Sequence, residues 1–242
     1  MSEAVADFAR DGFLGPVALL SRDECRAILA ELDADQGRAT WSKGNFPDWL
    51  MKGVACKERL VELLLPILGH DVIMWGASVV RRSPEMLHPW HVDVESSAPD
   101  GRFVTAWIGL DKVTRGSGLR LIAGSHRCKT IQQLRYEAGR SRTEHSNEWV
   151  LSRASEEDPD TRLVQPEVSD GDAILFDGRM WHGSFNASKE TRTALLLQFA
   201  AADSPVRIPD GLDWPFRFLE KPWPPVVLVH GKADDRVNHV VS

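Results

Sequence analysis

The sequence has no apolar run approaching the roughly 18 residues that a bilayer-spanning helix needs, so no membrane span is expected. It has no excess of basic charge. The formal net charge is -6, which argues against nucleic acid or an anionic membrane surface as a partner. Cysteine is scarce and unpaired: Cys25, Cys56 and Cys128 show no CxxC or other paired spacing. That excludes a disulfide framework and points to buried thiols in a reducing, cytoplasmic setting. The first turns carry Glu3, Asp7, Arg10 and Asp11, so they do not read as a signal peptide. No internal repeat or low-complexity segment is present, and no signature of oligomeric state.

What remains is a chain of 242 residues with the composition of one larger domain spanning 1–242. Residues 3–35 read as two short helices broken at Asp11-Gly12. Ser21-Arg-Asp-Glu24 is a capping box, followed at helical spacing by Cys25, Ile28, Leu29 and Leu32. The aromatic and polar segment 37–50 fits a loop, either at the mouth of a site or on the surface with aromatic anchors. Lys57–Leu68 is a helix that Pro66 bends or ends, with Gly69 as the stop. From Asp71 the texture changes to short β-branched and apolar runs separated by turn residues, including an expected hairpin at Asp170-Gly171. Many short strands after two helices predict an all-β double sheet with flanking helices. Two segments depart from that texture. Residues 127–162 are charge-rich and long for a connection, which predicts a lid insertion over the barrel mouth. Residues 203–242 are proline-rich, which predicts an extended tail on the outside of the sheet.

The chemistry concentrates in His88-Pro89-Trp90-His91-Val92-Asp93 and, much later, Trp181-His182-Gly183-Ser184. Residues i and i+2 of a strand share a face, so His91 and Asp93 aim at one point, and a second strand can bring His182 to it. Two histidines and one carboxylate on one face of an octahedron are the facial triad of non-haem Fe(II) oxygenases. His88, three residues before His91, is expected on the opposite face. Arg81 and Arg82 interrupt the preceding strand and read first as solvated side chains, or else as a holder of an anionic substrate. His126 is expected to be structural. In the strand Thr191–Ala200, Arg192 shares a face with Ala194, Leu196 and Gln198. A charge there needs a partner, and a carboxylate suits a guanidinium fork best.

His91-x-Asp93, then Trp107-Ile-Gly-Leu-Asp-Lys, then Gly116–His126, then His182 with Arg192 ten positions on, follow one another in an order that resembles the phytanoyl-CoA dioxygenase family of Fe(II)/2-oxoglutarate oxygenases. Phe8-Ala-Arg-Asp-Gly-Phe13 is similar to that family's opening. The resemblance runs from about Phe8 to Ala200. It implies a double-stranded β-helix, the jelly-roll or cupin-like fold. It further implies His91, Asp93 and His182 as iron ligands and Arg192 on the 5-carboxylate of 2-oxoglutarate, with Ser184 helping and Trp107 alongside. The implied reaction consumes 2-oxoglutarate and O2, releases succinate and CO2, and hydroxylates an aliphatic carbon of a small-molecule substrate. Related halogenases have a small residue where Asp93 stands, which favours hydroxylation here. Desaturation or cyclisation would use the same residues. A cupin-like metal enzyme without 2-oxoglutarate, or a catalytically silent binding module, are the other classes.

Overall fold

The helices form where their apolar spacing directs. In the computed structural model, which describes residues 3–34, 40–41, 46–93, 101–135, 143–207 and 223–241, α1 is Glu3–Asp11 and α2 is Arg22–Ala34. The capping box at Ser21 is closed in both directions: the Glu24 N–H donates to Ser21 Oγ (3.2 Å) and the Ser21 N–H to Glu24 Oε2 (2.7 Å). Asp48–Leu50 is a single turn, α3, and α4 is Glu58–Leu68. Pro66 does not end α4, which runs on to Leu68 before Gly69 (φ 95°) stops it. Cys25, Ile28 and Leu32 of α2 and Leu60, Leu64 and Leu68 of α4 are buried in one cluster with Ala106, Ile108, Leu195 and Leu197. Fully burying each of these leucines stabilises the fold by about 1.5–3 kcal/mol.

Those helices cover one face of the larger of two sheets. Its strands are β1 (Phe13–Ala18), β2 (Thr40–Trp41), β3 (Val72–Arg82), β5 (Phe103–Asp111), β8 (Asp172–Asp177), β10 (Arg192–Ala201), β11 (Pro225–His230) and β12 (His239–Val241). They lie in the order β1-β8-β5-β10-β3-β11-β12, with β2 paired to β3. The smaller sheet has the order β4-β9-β6-β7, from β4 (Leu87–His91), β6 (Leu119–Ala123), β7 (Arg162–Val164) and β9 (His182–Phe185). Trp107, Ile174, Phe176 and Ala194 of the larger sheet meet Leu119 and Leu121 of the smaller, so the core between the sheets adjoins the strands that carry His91 and His182. This is the β core of a double-stranded β-helix with flanking helices.

Four expectations are corrected. Phe13–Ala18 is a strand, not part of a helical pair; a register shift between Leu14 and Val17 and the Gly15-Pro16 step hide its alternation. Asp170-Gly171 is a turn but no hairpin: β7 pairs with β6 and β8 with β1 and β5, so the chain crosses between sheets there. The helix of the 127–162 stretch, α5 (Asn147–Ser155), does not cover the mouth. It buries Val150 and Ala154 against Trp90, Ile122 and Trp181, which alternate with the inward residues of the smaller sheet. Residues 136–142 of that stretch lie outside the described residues. Part of the tail after 222 joins the larger sheet, β11 pairing antiparallel with β3 and parallel with β12, instead of wrapping over it. Residues 208–222, with Trp214, Phe216 and Phe218, lie outside the described residues. So do 42–45 and 94–100; of segment 37–50, Phe46 and Trp49 pack on the helical side of the core.

Asp11 fastens α1 to the smaller sheet. Its carboxylate takes paired donations from Arg162 (2.9 and 3.0 Å) and from Arg10 (3.1 and 2.8 Å). Hydrogen bonds from Arg162, then Arg10, hold its carboxyl well below the usual carboxylate range. A depressed folded value stabilises the protein above the free aspartate value of about 3.9 and loses that contribution as pH falls through the folded one. Both arginines are more than half exposed, which screens the pair. Asp11→Asn should therefore cost about 1–2 kcal/mol at pH 7 by urea unfolding. The gap to wild type should narrow below about pH 4. A gap that is equal at pH 7 and pH 3 would show that the charge contributes nothing.

Candidate active site

β4 and β9 are antiparallel neighbours, and their register sets His91 directly opposite His182. The two rings lie 4.0 Å apart, centroid to centroid. Each imidazole is oriented by the same device, Nδ1–H donating to the carbonyl two residues back: His91 to Pro89 (2.8 Å) and His182 to Met180 (2.9 Å). With the proton on Nδ1, each ring carries its lone pair on Nε2, and the hydrogen bond on the other nitrogen orients it as in a metal-ligating histidine. Asp93 follows β4, held by its N–H donating to the Gly178 carbonyl (3.1 Å). Thr105 Oγ1 donates to Asp93 Oδ2 (3.0 Å), which leaves Oδ1 turned to the histidines, 3.6 Å from His91 Nε2 and 3.7 Å from His182 Nε2. One ligand atom from each of the three residues lies within 4.8 Å of the others. Two nitrogens and one carboxylate oxygen gathered this closely suit a non-haem divalent metal with open positions.

The larger sheet faces this trio with a cation. Arg192 opens β10 and is 0% exposed, yet all three of its side-chain nitrogens lack a hydrogen-bond partner among the described residues. Burial, then the nearby Arg82, lowers its pKa to about 10. Its guanidinium lies 5.4 Å from the Trp107 ring, so these two expected neighbours are brought together. Trp107 and Thr105 are alternate residues of β5. Ser184 is buried on β9, two residues from His182, with its Cα opposite His88. His126 is remote, packed beside Gly12 with Nε2 against the Ala9 carbonyl (3.2 Å), and burial lowers its pKa. Its structural reading stands.

His88 is where the sequence reading goes wrong. The pairing of β4 with β9 shifts between His88 and His91, a bulge that puts both on the same side. Their rings meet edge-on with centroids 4.4 Å apart. Gly183 eases the bulge, because a Cβ there would stand 3.0 Å from the His88 carbonyl, a tight contact. The paired arginines divide: Arg81 is exposed, 3.7 Å from Asp33, whereas Arg82 turns inward and donates from Nη2 to His88 Nδ1 (3.2 Å). Two further positioning groups had weaker signals. Thr105 could have been found from its alternation with Trp107. Ser125 Oγ accepts from the Trp181 N–H (2.9 Å), securing the approach to His182; only the Gly124-Ser125-His126 block marks it.

Residues 8–194 match the family described as phytanoyl-CoA dioxygenase (PhyH). The chain belongs to that family. Iron(II), 2-oxoglutarate and O2, expected from the sequence, fit this family and its two-histidine, one-carboxylate donor set. Solved structures agree in fold. One is a non-heme alpha-ketoglutarate-dependent carbocyclase, SnoK from nogalamycin biosynthesis, 20% identical over 93% of each chain with a TM-score of 0.68. Another is EctD from S. alaskensis with 2-oxoglutarate and 5-hydroxyectoine, 21% identical over all of this chain and 87% of that one, TM-score 0.68. A third is the epimerase SnoN in complex with Fe3+, alpha ketoglutarate and nogalamycin RO, 19% identical over 87% of each chain, TM-score 0.66. Among the described residues of this family member, no helix is long and apolar enough to cross a membrane.

Proposed function

We propose that the protein is an Fe(II)- and 2-oxoglutarate-dependent dioxygenase that hydroxylates an aliphatic carbon of a small metabolite or biosynthetic intermediate. Arg192 carries this reading. A fully buried guanidinium without a hydrogen-bond partner among the described residues is costly in the free protein and calls for an anion from solution. A dicarboxylate whose far end reaches Arg192 and whose 2-oxo acid end reaches the metal meets that need. His91, Asp93 and His182 would hold the iron, and Trp107 and Ser184 would flank the cosubstrate. When bound, the iron and 2-oxoglutarate supply the oxidising power, with succinate and CO2 as coproducts.

The chain's own part is orientation. The carbonyls of Pro89 and Met180 accept from the Nδ1 protons and so orient both imidazoles. The Thr105 hydroxyl presents one oxygen of Asp93 to the metal. Trp75, Thr105 and Gln198 border a small cavity of about 10 Å³ beside Asp93, room for about one water. The presence of Asp93 favours hydroxylation over halogenation. SnoK and SnoN, named as a carbocyclase and an epimerase, support a second reading in which the same site closes a ring or inverts a centre.

The test is an anaerobic titration of Fe(II) and then 2-oxoglutarate, following the weak visible charge-transfer band of a chelated 2-oxo acid. Wild type should show it, after which succinate release screens substrates and product mass separates hydroxylation (gain of one oxygen atom) from ring closure (loss of two hydrogens). Iron binding without the band would favour a cupin-like enzyme. Binding of neither would leave the binding module.

A further inference from the structure

Arg82 and Arg192 are directly opposed on the neighbouring antiparallel strands β3 and β10, so their side chains leave the larger sheet on the same face. That face is the one that bears Trp107, whose ring lies beside Arg192. Like charges at opposed cross-strand positions repel, and burial removes the water that would screen them. Burial lowers the pKa of Arg82, and burial followed by the charge of Arg82 lowers that of Arg192. No acid among the described residues offsets either one: Arg82 Nε, like the three nitrogens of Arg192, is buried without a hydrogen-bond partner.

Arg82 is also aimed. Nη2 donates to His88 Nδ1 (3.2 Å) and Nη1 to the Arg81 carbonyl (3.3 Å), which fixes the guanidinium and leaves the Nε–H unused. The β4 bulge that turns His88 inward is what supplies this support. A carboxylate has two oxygens and about four acceptor sites, enough for two arginines. Placed between these two, it would turn one repulsive pair into two charge-assisted contacts.

We infer that Arg82 is a second arginine for the distal carboxylate of 2-oxoglutarate, gripping it together with Arg192. The inference rests on the cosubstrate role proposed for Arg192. Its consequence is selectivity, because a 2-oxo acid without the distal carboxylate leaves both cations uncompensated.

The experiment compares 2-oxoglutarate with 2-oxovalerate, which has a methyl where the distal carboxylate would be, in anaerobic titrations of the Fe(II)-loaded protein. Wild type, Arg82→Met and Arg82→Gln are read by the charge-transfer band. Arg82→Met should weaken 2-oxoglutarate about 10- to 100-fold and Arg82→Gln by a smaller factor. The affinity for 2-oxovalerate should stay within about twofold, which also shows that the iron site is intact. Unchanged 2-oxoglutarate affinity in both variants would overturn the inference and leave Arg82 to an anionic group of the substrate. Equal weakening of both acids would overturn it too, making Arg82 a support for the iron ligands through His88. Absence of the band in wild type with either acid would instead remove the oxygenase reading itself.

Discussion

Arg192→Met should make the free protein harder to unfold while costing it 2-oxoglutarate. Methionine has a similar reach and no charge, so the substitution removes a buried cation that has no hydrogen-bond partner among the described residues and relieves the opposed Arg82. The lost cation–π contact with Trp107 opposes this by about 0.5–2 kcal/mol. A net gain of about 1–2 kcal/mol in urea unfolding, without iron or cosubstrate, is the expected balance. Binding should move the other way. A bidentate fork makes two charge-assisted hydrogen bonds at about 1.5–3 kcal/mol each, so 2-oxoglutarate affinity should fall about 100- to 1,000-fold. A loss of stability in the free protein would mean that Arg192 is paired there and belongs to the scaffold. Stability and binding changing in opposite directions is what a site residue produces and a structural ion pair does not.

Asp93→Ala should lower Fe(II) affinity by at least about 100-fold, beyond the 10- to 100-fold typical when only an outer-shell partner of a metal ligand is removed. The carboxylate is the only charged donor of the trio, and the two imidazoles it leaves lie on one side of the site. Thr105→Val calibrates the result. It deletes the hydroxyl that orients Asp93 Oδ2 while keeping all three donors, so its loss should stay within that outer-shell range, about tenfold. Calorimetric titration of Fe(II) under anaerobic conditions gives both numbers. Wild-type affinity in Asp93→Ala would exclude Asp93 as a ligand, and equal effects of the two substitutions would mean that the hydroxyl does more than orient.

These experiments bear on residues that differ in how visible they are along the chain. His91, Asp93 and His182 stand out because strand alternation puts i and i+2 on one face and because few residue types ligate metals. Arg192 stands out because a charge interrupts an apolar face. The capping box at Ser21 is likewise local, built from residues three apart. Composition was enough to set aside a disulfide framework, and the cysteines are free, with burial raising Cys25 and Cys128 to about 11.

His88 shows the limit. Alternation counted from His91 places it outside, yet one bulge against Gly183 brings it in; Pro89 marks an edge strand or a bulge without saying which, and the choice depends on the partner strand. The separation of Arg81 from Arg82 follows from which residue of β3 faces Arg192, a register set 110 positions later in the chain. The same holds for β1, α5 and β11, whose partners are β8, the back of the smaller sheet and β3. By itself the sequence determined which groups could bind a metal and an anion, because chemistry and local period belong to the residues themselves. Only the tertiary structure decided which of them share a cavity, because sheet order, register and bulges are properties of pairs of distant segments.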